Sequence, residues 1–146
     1  MQKVRVLIIE KSNTTLQLLK STLGRLPNIE IVATAKDVGS GRSMLMVTKP
    51  AVVIMDGSVS GAGGLGMLSE FQDMIPGLAV IILQADRDPN QTITSATPDR
   101  AAAFMHKPST LSQASTDFVR QSIAPLVVRL GQRERVKADK QLVASE

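Results

Sequence analysis

Between Val4 and Ile9 the only polar side chain is Arg5, and the chain returns to this pattern four more times. Ile29 to Ala35, Ala51 to Met55, Leu78 to Leu83 and Ala101 to Met105 are all short, largely apolar runs. Runs of this length and character fit parallel strands covered on both faces. The intervening stretches have helical spacing. Leu16, Leu19, Leu23 and Leu26 lie 3, 4 and 3 residues apart, one stripe of an amphipathic helix, with Ser12 or Asn13 to cap its start and Gly24 and Pro27 at its end. Val38 to Lys49 is a weaker helix, loosened by Gly39 and Gly41 and stopped by Pro50. A third helix carries Leu65, Leu68, Phe71 and Ile75, whereas Asp86 to Arg100 is rich in Thr, Ser, Asp and Pro and predicts little helix. The last helix carries Val119, Ile123, Leu126 and Leu130. Pro125 lies inside it, deprives the Gln121 carbonyl of its donor and predicts a kink. Strands alternating with helices imply right-handed crossovers and a doubly wound parallel sheet, with function gathered at the carboxyl ends of the strands.

Composition narrows the chemistry. A chain of 146 residues suits one domain, placed at residues 1–130, with a basic tail or linker over residues 131–146. Cysteine is absent, which excludes disulfides, thiol catalysis and zinc–thiolate sites, and His106 is the sole histidine. The excess of 17 Lys and Arg over 13 Asp and Glu is split between the tail and the body. With three aromatic residues (Phe71, Phe104 and Phe118), none of them in a basic cluster, it makes no stacking platform for nucleic acid. No apolar run approaches a membrane span, and the expected location is cytoplasmic.

Three chemistries compete for the strand ends. Gly61-Ala62-Gly63-Gly64-Leu65-Gly66, with Asp86 further on, matches a dinucleotide fingerprint, but Asp56 to Ser60 separate its first glycine from the preceding strand. Gly57-Ser58-Val59-Ser60-Gly61 is no hydrolase elbow, because Val59 occupies the central position. The third is a phosphate-handling cluster. Glu10 ends the first run, Asp56 the third, and Lys107 follows the fifth, and in a sheet of order 2-1-3-4-5 those carboxyl ends would be near enough to converge. A carboxylate can attack phosphorus while cations neutralise the transferred group.

Four segments carry a resemblance: Val6-Leu7-Ile8-Ile9-Glu10-Lys11-Ser12, Ala51 to Asp56, Val80 to Asp86, and Phe104-Met105-His106-Lys107-Pro108. With Gly64 eight residues after Asp56, they resemble the response-regulator receiver family over essentially residues 3 to 130. The opening segment and the stretch from Lys107 to Phe118 look most like the receiver of chemotaxis methylesterases, although no esterase stretch follows within these residues. The resemblance implies an α/β, flavodoxin-like, doubly wound five-stranded parallel sheet in the order 2-1-3-4-5. It also implies a phosphoprotein of two-component phosphorelay signalling rather than an enzyme. Asp56 would be the phosphoacceptor, Glu10 its acidic-pocket companion and Lys107 the phosphate-binding lysine before a cis Pro108. Gln84 and Phe104 would hold the switch positions, and Glu10 with Asp56 would hold Mg2+. The implied partners are a histidine kinase or phosphotransfer protein upstream, and a downstream protein or effector domain.

Three positions depart from the family's pattern. Its acidic pair is Asp-Asp or Glu-Asp, but here it is Glu10-Lys11; its hydroxyl residue at the end of the fourth strand is Gln84; its proline four positions after the phosphoacceptor is Ser60. An ammonium supplies none of the oxygens magnesium requires. The expectation is therefore an atypical receiver with weak or no magnesium-dependent phosphorylation, in which Lys11 stands in for the metal beside Asp56. The alternatives are a phosphorylation-independent protein-interaction module and a nucleotide-binding α/β domain. The long apolar stripe of the last helix also predicts pairing with a second copy or a partner helix.

Overall fold

The computed structural model describes residues 3–57, 65–85, 102–107 and 113–132. Five parallel strands, β1 (Val4–Ile9), β2 (Ile29–Ala35), β3 (Val52–Asp56), β4 (Ala79–Ala85) and β5 (Ala102–Lys107), lie in the order β2-β1-β3-β4-β5. Helices α1 (Asn13–Gly24), α2 (Val38–Thr48) and α3 (Leu65–Met74) follow β1, β2 and β3. A last helix starts at α4 (Gln113–Phe118), passes through a π-helical turn (Val119–Ile123) and continues over residues 124–132. This is the α/β flavodoxin-like class with a parallel sheet. β4 and β5 run past the apolar runs into polar residues, because backbone pairing continues through Gln84 with His106 and Ala85 with Lys107. Lys107 is thus the last residue of β5 rather than the one after it.

The central strands alternate their side chains between two cores. Val4, Val6 and Ile8, with Val52, Ile54, Ala79, Ile81 and Leu83, face α1 and the last helix. Leu7 and Ile9, with Val53, Met55, Val80 and Ile82, face α2 and α3. Burial on both sides explains why these strands read as continuous apolar runs. Edge strand β2 carries a register shift that skips Val32 opposite Val6 and Leu7, and a bulge of this kind blunts an open edge.

Gly41 does more than loosen α2. A Cβ there would come within 2.5 Å of the Ile9 Cδ1, so the missing side chain is what lets α2 close on β1. Gly131 has the same relation to Val4 from the other side, with a built Cβ 2.5 Å from Val4 Cγ1.

Ahead of Pro125 the last helix widens: the Ala124 N–H donates to the Val119 carbonyl, five residues back. A π turn of this kind relieves the crowding that a proline ring causes inside a helix. The extra residue also shifts the buried stripe by one position. Val119, Ile123, Ala124, Val127 and Leu130 are buried, while Leu126 is only partly covered. The stripe thus packs on the chain's own sheet. The described helix reaches residue 132, two positions into the stretch assigned to the tail.

Candidate functional site

Ile9 of β1 is in register with Met55 of β3, and the next residue on each strand is acidic: Glu10 and Asp56. Both are buried, at 1% and 4% exposure. Two carboxylates in so little water are tolerable only where hydrogen bonds and opposite charge compensate the lost hydration. Glu10 is held at both ends. Its N–H donates to the Ala35 carbonyl at 2.9 Å, extending the β1–β2 pairing, and its Oε1 accepts from the Ser12 N–H at 3.2 Å. Ser12 in turn opens α1: its Oγ accepts from the Thr15 N–H at 3.3 Å, and its carbonyl accepts from the Leu16 N–H at 2.9 Å. Ser12 was legible only as a cap. Its role in orienting Glu10 has no signature in residue type or spacing.

Lys11 sits between these two residues and is exposed. It makes no hydrogen bond or ion pair with any described carboxylate, so the structure does not bring its ammonium onto Asp56. Asp56 itself is in register with Leu83 of β4. Beyond it, Gln84 pairs with His106 and Phe104 with Ile82, and Lys107 closes β5 opposite Ala85. The backbone therefore sets Glu10, Asp56, Gln84 and Lys107 at one end of the sheet. Ser60, Pro108, the glycine loop from Gly61 to Gly64, and Asp86 lie outside the described residues.

Away from this end, Asp37 caps α2, its Oδ1 accepting from the Ser40 N–H at 2.7 Å, and that bond, with a second from the Ser40 hydroxyl, holds its carboxyl below the usual range. Arg42 on α2 grips Glu70 on α3 through Nε to Oε1 at 2.5 Å and Nη2 to Oε2 at 3.0 Å. The hydrogen bonding lowers the Glu70 carboxyl and raises the Arg42 guanidinium from their ordinary values. This fork was invisible in the sequence, because its partners lie on separate helices. It braces the scaffold beside the site and does not touch it.

Residues 6–117 match the response regulator receiver domain, and the chain belongs to that family, which acts in two-component signal transduction. The chain is 30% identical over 108 residues to a protein-glutamate methylesterase/protein-glutamine glutaminase of Bdellovibrio bacteriovorus, covering 74% of this chain and 30% of that protein. It is 28% identical over 105 residues to the corresponding protein of Sulfurimonas denitrificans, covering 72% and 30%. The chain thus spans about 30% of the length of these curated relatives. In fold it is similar to the response regulator domain of Thermotoga maritima CheB, with TM-score 0.74 and 20% identity over 90% of this chain and 98% of that one. A receiver domain protein from Clostridium thermocellum superposes with TM-score 0.71 at 23% identity, over 91% and 98%.

Magnesium, the ion the family implies, can be tested against these residues. No three His, Cys, Asp or Glu side chains gather into a possible metal cage among the described residues. One Glu10 oxygen already accepts the Ser12 N–H, and the following position supplies an ammonium where the family supplies a third carboxylate. Magnesium demands about six oxygens in near-octahedral array. Water commonly fills several of those places, and here Glu10 and Asp56 are the carboxylates left to supply the rest.

Proposed function

We propose that Asp56 is the phosphoacceptor of this receiver. The observation that carries the reading is the burial of Asp56 at the end of β3, beside an equally buried Glu10 on the adjacent strand. In the reaction a carboxylate oxygen of Asp56 attacks the phosphorus of a phosphohistidine on a kinase or phosphotransfer protein. The P–N bond breaks, the imidazole keeps the electron pair, and an acyl phosphate forms on Asp56. Lys107, the last residue of β5, is our candidate to meet the added charge, and Gln84 and Phe104 are the candidate positions through which β4 and β5 pass the change on. The methylesterase activity named for the relatives is theirs; the region shared with this chain acts as the signalling element, with a downstream protein or effector domain as its target.

Labelling with a small phosphodonor such as phosphoramidate, followed by mass spectrometry, tests the assignment. One phosphoryl group is expected on the wild type and none on Asp56→Asn; label persisting in that variant overturns it. The second reading, a protein-interaction module that needs no phosphorylation, is favoured by Lys11 in the acid position. It predicts partner binding unchanged in Asp56→Asn.

A further inference from the structure

Building on the phosphoacceptor reading, we infer that the acidic pocket is balanced by protein ammonium groups and operates without a divalent cation. The charge count is the first argument. The pocket end of the sheet brings together two buried carboxylates, Glu10 and Asp56, and two lysines, Lys11 beside Glu10 and Lys107 at the end of β5. Their formal charges cancel. Exchanging a carboxylate for an ammonium moves the local charge by two units, the charge a divalent ion would otherwise bring. Adding that ion here would leave a partly buried site with uncompensated positive charge, which is costly.

The donor set is the second argument. The lysine side chain has three N–H donors and no acceptor, so it cannot ligate a cation. Glu10 is bound to the backbone N–H of Ser12 at 3.2 Å, which fixes its carboxylate toward the start of α1. The third argument is the state of Lys11. It is exposed and engaged by no described carboxylate, so its long chain is available to a newly added phosphoryl group at the pocket mouth. In this receiver the cation arrives on the polypeptide and follows the anion.

The protein lacks Trp and Tyr, so the test reads backbone amides by NMR rather than intrinsic fluorescence. MgCl2 is titrated into 15N-labelled wild type, Lys11→Ala and Lys11→Asp. The wild type should show no saturable shifts at the amides of Glu10, Lys11 and Asp56 at millimolar Mg2+. Lys11→Asp should bind at least about tenfold more tightly, a gain of about 1.4 kcal/mol, with Lys11→Ala between them. Phosphoramidate labelling in EDTA should match that in Mg2+ for the wild type and should become Mg2+-dependent in Lys11→Asp. Saturable binding by the wild type as tight as by Lys11→Asp, or wild-type labelling abolished by EDTA, overturns the inference. Absence of label on Asp56 in every variant and condition would instead defeat the phosphoacceptor reading, leaving the titration to decide the metal question alone.

Discussion

The Arg5 Nη1 donates to the Lys49 carbonyl at 3.2 Å, tying the first strand to the residue that closes α2. Lys49 has φ 46° and ψ 64°, a left-handed conformation that its neighbours impose: its N–H donates to Leu45 at 3.0 Å, and Pro50 follows. An L-residue loses about 1–2 kcal/mol there, and glycine returns part of the gain through its looser unfolded chain, about 0.5–1 kcal/mol. Lys49→Gly should therefore stabilise by roughly 0.5–1 kcal/mol, read as a higher denaturation midpoint with unchanged slope. Arg5 bonds to a carbonyl, so the tie survives the substitution.

Two glycines at helix positions should respond in opposite directions to alanine. Gly24, at the end of α1, has nothing within 4 Å of a built Cβ, and Gly24→Ala should be neutral or stabilise by up to about 1 kcal/mol. At Gly131 the Cβ would meet two methyls of buried Val4, at 2.5 and 2.8 Å, and Gly131→Ala should cost about 1–3 kcal/mol. Adding Val4→Ala should recover part of that loss, a coupling that a double-mutant cycle in urea measures.

The π turn makes a prediction about neighbours. Val127 is fully buried and Leu126 is not. Val127→Ala should cost about 2 kcal/mol, and Leu126→Ala clearly less, although leucine loses more carbon. Sedimentation should find Leu126→Gln in the same oligomeric state as the wild type. Equal costs at the two sites would contradict the register described here.

Acid should weaken the brace between α2 and α3. Bonding to Arg42 depresses the Glu70 carboxyl, and Asp37 is depressed by its bonds to Ser40. A folded-state value below the unfolded one gives stability that is complete above the ordinary carboxylate range and is lost as pH falls through the folded values. The NMR midpoint of Glu70 should rise in Arg42→Ala and, with the arginine kept, in high salt, because this exposed pair is screened. Asp37 should be unmoved by Arg42→Ala.

Much of the fold was legible because burial on both faces leaves few choices of residue. Val4 to Ile9, Ile29 to Ala35 and the leucine stripe of α1 stand where their apolar patterns put them. The two buried acids were legible for a related reason, since a charged residue closing an apolar strand run is conspicuous. What escaped depends on non-local geometry. The Lys49 conformation follows from how α2 meets β3, the Arg42–Glu70 fork joins separate helices, and the shift from Leu126 to Val127 needs the π turn, whose cause is a proline that pattern reading equates with a kink. The expected approach of Lys11 to Asp56 rested on its place after Glu10 and on chain length, and with the acid unphosphorylated the residue is exposed.

The placement of β1 between β2 and β3 also orders events in time. A chain emerging from its N-terminus can join β1 to β2 once α1 and β2 are both complete, and at that stage the future pocket contains a single acid, tied to the start of α1 through Ser12. The second acid comes only with β3, after α2, through a contact between distant parts of the chain, the kind that closes late. The repulsion between the two acids therefore falls on one docking event, the arrival of the third strand.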